Sequence, residues 1–225
     1  MNKLIEIDSI WKIYYNGGKQ TIAVKDVSLT LKEAEYLAIV GPSGAGKTTL
    51  LHIMSGLDSP TKGRVLFEGK DLYTLGDYQI SLWRNMTVGF VFQFYHLIEE
   101  LNVLENVALP SLAFKGTRKT SFKKAQKLLK YLNIEEKVKY VPSQLSGGER
   151  QKVAIARALV NEPRIIFCDE PTGNLDKDSA DKVISLLEFL NKNEKKTLVI
   201  VTHNPEIVKK ADRVINIRVG QVTNS

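Results

Sequence analysis

The sequence has a single cysteine, Cys168, and no long apolar run in its 225 residues. A single cysteine excludes an intrachain disulfide, which fits a reducing compartment. The longest apolar stretches, such as residues 198–201, have the length of a strand, whereas a membrane-spanning helix needs about 18 apolar residues. Residues 1–8 include acids where a signal peptide would be apolar. We therefore expect a soluble chain that reaches a membrane only through a partner or its own surface.

Positive charge is concentrated in one segment. The formal net charge is +7, and residues 115–139 alone contain nine lysines and arginines against two glutamates. Basic patches attract nucleic acid or anionic lipid, but lysine-rich helix faces in contact with solvent are common. We expect a solvated helix face here, with Phe122, Leu128, Leu129 and Leu132 turned inward, and no nucleic-acid partner.

Short apolar segments alternate with helical patterns along the chain. Four apolar runs are typical of buried strands: residues 36–40, 88–92, 164–168 and 197–202. Shorter strands separated by turns are predicted at residues 4–8, 24–31 and 64–67. Helical patterns cover the region up to about Ser55 after the first buried strand and residues 102–140. This alternation predicts an α/β fold with a mostly parallel sheet flanked by helices.

Residues 41–48, Gly-Pro-Ser-Gly-Ala-Gly-Lys-Thr, match the phosphate-binding pattern G-x-x-x-x-G-K-[ST]. The segment lies between a predicted strand and a predicted helix, as the pattern requires. Its glycines allow backbone N–H groups to surround phosphates. Lys47 would bring a positive charge to the β- and γ-phosphates, and the Thr48 hydroxyl would bind Mg²⁺. We predict a nucleotide site here.

Four polar residues follow predicted strands, at the sheet edge where open α/β folds bind ligands. Asp169 is placed to hold Mg²⁺, directly or through water, and Glu170 to polarise the attacking water. An Asp-Glu pair read alone is more often an exposed turn, and the phosphate loop makes the functional interpretation the better one. Gln93 could contact the metal or water, and His203 could bind the γ-phosphate. A lone His is more often structural.

A second glycine-rich turn lies at residues 144–152. Ser146 and Glu149 have the spacing of a capping box that opens a helix, and a good helix-forming run follows at residues 153–159. Gly147 and Gly148 leave the backbone accessible to a ligand. A helix N-terminus with free N–H groups is an anion site, so the sequence predicts two phosphate-facing helix starts.

Taken in chain order, these features resemble the ATP-binding cassette (ABC) ATPases, the nucleotide-binding subunits of ABC transporters, over about residues 4–222. The resemblance implies a single ABC ATPase domain over residues 1–225 with a RecA-like P-loop NTPase fold. It also implies an N-terminal antiparallel β subdomain and an inserted α-helical subdomain, at about residues 94–158, that carries the family signature.

The resemblance assigns roles to individual positions. Tyr14 would stack on adenine, with Tyr15 as the alternative. Lys47, Glu170 and His203 would be catalytic, with Glu170 as the base and His203 as the switch histidine. The Walker A loop would comprise Gly41, Pro42, Ser43, Gly44, Ala45, Gly46, Lys47, Thr48 and Thr49. The metal ligands would be Thr48, Asp169 and the Q-loop residue Gln93. The signature would comprise Leu145, Ser146, Gly147, Gly148 and Glu149, and the D-loop Gly173, Asn174, Leu175 and Asp176.

The same resemblance implies partners and a subgroup. The signature would face ATP held by a second subunit, giving an ATP-dependent, head-to-tail homodimer with ATP and Mg²⁺ as cofactors. Residues 90–97, 104–110 and 169–176 are similar to the lipoprotein-releasing (LolD) subunits and their MacB and FtsE relatives. Such subunits would pair with a separate permease, peripherally at the cytoplasmic face of the inner membrane. The alternatives are an FtsE-like cell-division ATPase and a soluble ABC ATPase that acts on nucleic acid. The latter usually has two cassettes or a long insertion, and neither is present here.

Overall fold

The computed structural model describes residues 3–114 and 116–223, so Lys115 of the basic segment lies outside the described residues. The strands are β1 (Lys3–Asn16), β2 (Lys19–Lys32), β3 (Tyr36–Val40), β4 (Lys62–Phe67), β5 (Lys70–Asp71), β6 (Val88–Phe92), β7 (Ile165–Asp169), β8 (Thr197–Val201), β9 (Arg213–Arg218) and β10 (Gln221–Thr223). The helices are α1 (Lys47–Met54), α2 (Asp77–Thr87), α3 (Val103–Leu112), α4 (Arg118–Tyr131), α5 (Gly147–Leu159), α6 (Lys177–Lys192) and α7 (Pro205–Lys210).

The N-terminal strands form an antiparallel sheet in the order β2-β1-β4-β5. A tight turn joins β1 to β2, and Gly17 and Gly18 both have positive φ there, at 53° and 80°. Positive φ at both central residues matches the right-handed twist of a hairpin. Both strands are longer than the sequence predicts because register shifts let the pairing continue past residues whose apolar pattern breaks.

The central sheet has the order β10-β9-β3-β8-β7-β6, and only β10 pairs antiparallel. Alternate side chains of the buried strands enter two cores. On one face Tyr36, Leu198 and Cys168 pack with α3, α5 and α6. On the other, Leu37 and Val199 pack with α1 and the antiparallel sheet. This architecture confirms the predicted fold class.

The helices α3, α4 and α5 span the segment that the sequence assigns to the helical subdomain. Asn102 caps α3 through a reciprocal pair with Glu105: the Glu105 N–H donates to the Asn102 side chain, and the Asn102 N–H donates to the Glu105 carboxylate. On α4, Ala125 and Leu129 are buried, whereas Lys123 and the other basic side chains described on that helix are exposed. The basic helix therefore has the solvated face predicted from its pattern.

The sequence did not predict the helices α2 and α7, the short strand β5 or the C-terminal hairpin β9–β10. Helix α2 has no fully buried residue. The hairpin supports the phosphate loop, because Gly220 N–H donates to the Ala45 carbonyl at 3.0 Å and Lys25 N–H donates to the Gly220 carbonyl at 2.8 Å.

In the residues that the structure describes, no helix has both the length and the apolarity to cross a bilayer.

Candidate functional site: a nucleotide-binding edge and a separate signature helix

The phosphate loop joins β3 to α1 at the carboxyl edge of the central sheet. Its tip residues Pro42, Ser43 and Gly44 are exposed, and Ala45 is buried. Gly46 caps α1 with a left-handed φ of 100°. A Cβ at Gly46 would lie 2.1 Å from the Ala23 carbonyl oxygen, and one at Gly41 would lie 2.2 Å from that of Ile217. The loop is therefore pressed between β2 and β9, and both positions require glycine.

The Lys47 side chain folds back over its own loop. Its ammonium group donates to the carbonyl oxygens of Gly41 and Pro42, each at 2.9 Å. These neutral acceptors position the ammonium without cancelling its charge. A fixed positive charge next to the start of α1, where the helix dipole is also positive, suits a phosphate group.

Thr48 and Asp169 meet across the edge of the sheet. The Thr48 hydroxyl donates to Asp169, at 3.0 Å from Oδ2 and 3.3 Å from Oδ1. Asp169 is the last residue of β7 and not the first residue after it, as the sequence had suggested. Burial raises the pKa of the Asp169 carboxyl. A hydroxyl and a partly buried carboxylate supply the oxygen ligands that Mg²⁺ prefers.

Glu170 and His203 form the second pair at this edge. Glu170 has an unusual φ of 47°, and its N–H donates to the Val201 carbonyl at 2.9 Å. One carboxylate oxygen lies 2.9 Å from His203 Nδ1, and the other accepts the His203 N–H at 3.3 Å. Positive φ at a non-glycine residue is strained and occurs often at functional sites. The structure thus brings together the predicted base and the predicted switch histidine.

Gln93 lies beside this pair, because Phe92 of β6 is paired with Asp169 of β7. Its amide donates to the Asn174 side chain at 3.4 Å, and the Asn174 amide donates to the Gln93 carbonyl at 3.1 Å. Among the described residues, the hydrogen bonds of Gln93 connect it to the D-loop and not to Thr48 or Asp169. Its role as a metal ligand stays a prediction.

The signature turn opens α5 with the predicted capping box. Glu149 N–H donates to Ser146 Oγ at 3.3 Å, and Ser146 N–H donates to the Glu149 carboxylate at 2.8 Å. That backbone bond lowers the pKa of Glu149. Leu145 is buried, whereas Ser146 is exposed. A Cβ on Gly148 would lie 2.7 Å from Ser179 Oγ at the start of α6. Close packing against Ser179 therefore favours a residue without a side chain here, a reason that the sequence does not reveal.

The two helix starts do not meet within one chain. Gly147 lies against Tyr95 and against Leu175 and Asn174 of the D-loop. In the part of the chain that the structure describes, no hydrogen bond links the signature to the phosphate loop. The signature turn therefore packs against the D-loop of its own chain, whereas the phosphate-loop glycines Gly41 and Gly46 pack against β9 and β2.

Tyr14 stands near the start of α1, where its pKa is raised chiefly by burial and next by a hydrogen bond to Asp58. Its hydroxyl donates to Asp58 at 2.8 Å, and Lys12 binds the same carboxylate at 2.6 Å and lies 5.0 Å from the Tyr14 ring centre. The sequence analysis did not predict that Lys12 and Asp58 support Tyr14. Lys12 and Tyr14 are two residues apart on β1, a spacing that places side chains on the same face of a strand. Tyr15 is more exposed, at 72% against 41% for Tyr14.

Comparison with known proteins identifies the assembly of these motifs. The family model described as "ABC transporter" matches residues 24–173, which is most of the chain. The chain belongs to the ABC transporter family. An uncharacterized ABC transporter ATP-binding protein of Methanocaldococcus jannaschii is 44% identical over 97% of this chain and 97% of its own length. The lipoprotein-releasing system ATP-binding protein LolD of Buchnera aphidicola is 41% identical over 100% and 98% of the two chains.

Solved structures of the ABC cassette MJ0796 have the same fold. A dimeric structure matches with a TM-score of 0.91 and 40% identity, covering 98% of this chain and 97% of that one. A second, equally similar structure is described as a dimeric post-hydrolysis state bound to ADP and Pi, at 39% identity with the same coverage. The predicted family, fold class and ATPase activity of this ABC protein are thus confirmed.

Proposed function

We propose that this ABC ATPase is the ATP-hydrolysing subunit of a LolD- or MacB-type system, in which it acts as a homodimer on separate permease subunits. The observation that carries the proposal is the signature turn, which is exposed at Ser146 and packs against the D-loop, with no hydrogen bond to the phosphate loop among the described residues. The LolD relative supports the subgroup. Other similar relatives have only the general name of ABC transporter ATP-binding protein.

In a head-to-tail dimer, each signature helix start would contact the ATP held by the phosphate loop of the other chain. The capping box satisfies the N–H of Glu149 and leaves other first-turn N–H groups of α5 available to an anion. The dimeric structures of the MJ0796 cassette, one of them bound to ADP and Pi, support dimer formation. Two such sites would close together, which makes hydrolysis depend on dimer formation.

The residues at the sheet edge suit phosphoryl transfer to water. Thr48 and Asp169 would hold Mg²⁺, which neutralises phosphate charge when bound. Lys47 places a fixed charge near the phosphates, and such electrostatic stabilisation is a large part of catalysis in this reaction class. Glu170 orients and deprotonates the attacking water, while His203 holds the Glu170 carboxylate in place at 2.9 Å.

A groove of about 500 Å³ supports a permease partner. It lies between α2, β6 and the ends of α3 and α5, and its lining includes Phe90, Phe92, Phe114, Arg84 and Arg157. An amphipathic segment of a permease would fit this mixture of aromatic rings and cations. The groove ends next to Gln93, so a partner seated there would sense the state of the ATP site. The ATPase would then lie at the cytoplasmic face of the inner membrane.

Two alternatives differ in the partner. An FtsE-like ATPase would use the same sites to regulate cell-wall hydrolysis through its own membrane partner. A nucleic-acid-dependent ABC ATPase would draw on the basic face of α4. The aromatic groove next to the ATP site favours a protein partner over nucleic acid.

Affinity purification of the chain from membranes of its own organism tests the proposal. We expect a permease with a large extracytoplasmic domain to co-purify. Ala113→Arg introduces a bulky cation at an exposed position that lines the groove and should abolish co-purification. Thr120→Arg, on the exposed face of α4 outside the groove, is the matched control and should not. Recovery of nucleic acid in place of a membrane protein would contradict the proposal.

A further inference from the structure

Gln151 lies one turn into the signature helix and is completely buried. Its Nε2 donates to the Pro171 carbonyl oxygen at 2.7 Å. The opposite orientation of the amide would place two acceptor oxygens in contact, so the donor assignment is forced. The other amide atom, Oε1, has no hydrogen-bond partner among the described residues. A buried glutamine with half of its amide unpaired is unusual. The hydrogen bond to Pro171 is therefore the contact that holds Gln151 in this position.

Pro171 directly follows the catalytic glutamate. The turn is closed by Gly173 N–H, which donates to the Glu170 carbonyl at 3.1 Å. Proline has no N–H, so the carbonyl is its only backbone hydrogen-bonding group. That carbonyl accepts the hydrogen bond from Gln151. The start of α5 packs on the same region, with Gly147 against Leu175.

The opposite side of this turn is hydrogen-bonded to the switch loop, which comprises residues 202–204 and contains the predicted switch histidine His203. Asn204 Nδ2 donates to Thr172 Oγ1 at 3.2 Å, and Asn204 N–H donates to Thr202 Oγ1 at 3.0 Å. His203, between them, contacts Glu170. The segment that carries the base is thus held by the switch loop on one side and, through Gln151, by the signature helix on the other.

We propose that Gln151 is a positioning residue that couples the signature helix to the catalytic Glu170 of the same chain. The inference rests on the proposed dimer, in which the signature serves the ATP of the partner while Glu170 acts on its own ATP. A movement of α5 on contact with the partner's ATP is transmitted through the Gln151–Pro171 bond to the Glu170 turn. The bond thereby connects the two ATP sites and makes hydrolysis cooperative.

Gln151→Met in the full-length chain tests this coupling, because methionine has a similar length and no donor. For the unchanged chain, we expect a Hill coefficient for ATP hydrolysis that approaches 2, the number of sites. For Gln151→Met, we expect the coefficient to fall towards 1 and kcat to fall about tenfold, since small displacements of catalytic groups are costly. The Kd of the monomer for ATP should not change.

Asn191→Leu is the matched control. Asn191 is also a buried amide on a helix, and it donates to the carbonyl oxygens of Ala34 and Lys196 at 2.9 Å, away from the ATP site. It should lower thermal stability without changing the Hill coefficient. If Gln151→Met does not fold, Gln151→Asn keeps a polar amide but is too short to reach Pro171, and the same loss of cooperativity is expected.

The outcomes separate this inference from the proposed function. If Glu170→Gln dimerises with ATP but Gln151→Met and Gln151→Asn retain the cooperativity and kcat of the unchanged chain, the coupling role is wrong and the dimer stands. Equal loss of cooperativity in the Asn191→Leu control would show a general stability effect and would also overturn the inference. If Glu170→Gln stays monomeric with ATP, the proposed function itself fails.

Discussion

Lys47 binds two neutral carbonyl oxygens of its own loop and, among the described residues, forms no ion pair. Its full charge is therefore kept for an anion that enters the loop. Asp169 shows the complementary situation, since its carboxylate is partly buried and its one side-chain hydrogen-bond partner in the described part of the chain is the neutral Thr48 hydroxyl. Burial therefore disfavours the ionised form of Asp169, and a bound cation would relieve that cost.

Asp169→Asn should raise the thermal stability of the nucleotide-free chain at neutral pH. Because burial raises the pKa of Asp169, the ionised carboxylate destabilises the fold at neutral pH. The penalty begins to shrink as the pH falls through the raised pKa and is gone below the ordinary pKa of an aspartate. A gain of about 1 kcal/mol would raise Tm by roughly 2–4 °C. Thermal unfolding with and without MgATP checks this, and the stabilisation by MgATP should be lost.

Asp176→Asn is the control for that experiment. The Asp176 carboxylate accepts the Ser179 N–H, which lowers the pKa of Asp176. Its charged form is favoured in the fold, so no gain in Tm is expected. A lower Tm for Asp169→Asn than for the unchanged chain would contradict the account of Asp169.

Tyr14→Ala should weaken binding of ATP about tenfold, because stacking of a base on an aromatic ring is worth roughly 1–3 kcal/mol. Tyr14→Phe keeps the ring and removes only the hydroxyl bond to Asp58, so it should bind ATP nearly as well as the unchanged chain. Tyr15→Ala is the control at the neighbouring, more exposed position. Titration with ATP measures the Kd of each variant. A larger loss of affinity for Tyr15→Ala than for Tyr14→Ala would make Tyr15 the residue that stacks on adenine.

At the scale of elements, the phosphate loop depends on the close approach of β2 and β9 to the loop that follows β3. Gly46→Ala should destabilise the chain by several kcal/mol or prevent folding, because its Cβ would lie 2.1 Å from the Ala23 carbonyl oxygen. Gly44→Ala is the matched control: Gly44 also has positive φ, at 73°, but a Cβ there meets nothing within 4 Å. It should cost about 1–2 kcal/mol. Denaturant unfolding measures both, and equal costs would contradict the packing argument.

The sequence predicts those elements whose signal is local. Strands β3 and β6 match the predicted residues 36–40 and 88–92 because each is a continuous apolar run with a clear end. The capping box of α5 is equally local. Helix α2 was missed because it packs at the surface with no buried residue. The pairing of β9 with β3 was missed because it joins segments about 175 residues apart.

The residues of the candidate site also divide into those with a local sequence signal, which were predicted, and those without one, which were not. The motifs locate Lys47, Glu170 and His203, because each lies at a strand end or within a recognisable pattern. Contacts across long sequence separations, such as Gln151 with Pro171 or Lys12 with Asp58, leave no local pattern. Gly148 was predicted as an opening for a ligand, and its contact with Ser179 depends on how two helices pack.

At the scale of the whole molecule, the proposed function treats the phosphate loop and the signature turn as two halves of different ATP sites. The phosphate loop, Asp169 and Glu170 share the edge of the central sheet, whereas the signature turn lies on the helical segment and packs against the D-loop of its own chain. The family assignment makes the chain an ATPase. Under the proposed function, a second copy of the chain would complete each ATP site with its signature turn.

Dimer formation by the Glu170→Gln chain tests this central claim most directly. Glutamine is isosteric but cannot act as a base, so the variant should bind ATP, hydrolyse it at least a hundredfold more slowly, as loss of a general base costs about 10²–10⁴, and accumulate as a dimer. Adding Ser146→Arg to it should leave ATP binding by the monomer intact and abolish the dimer, because the arginine fills the exposed signature turn. Light scattering with MgATP measures both chains. A monomeric Glu170→Gln chain, or a double variant that dimerises equally well, would contradict the account.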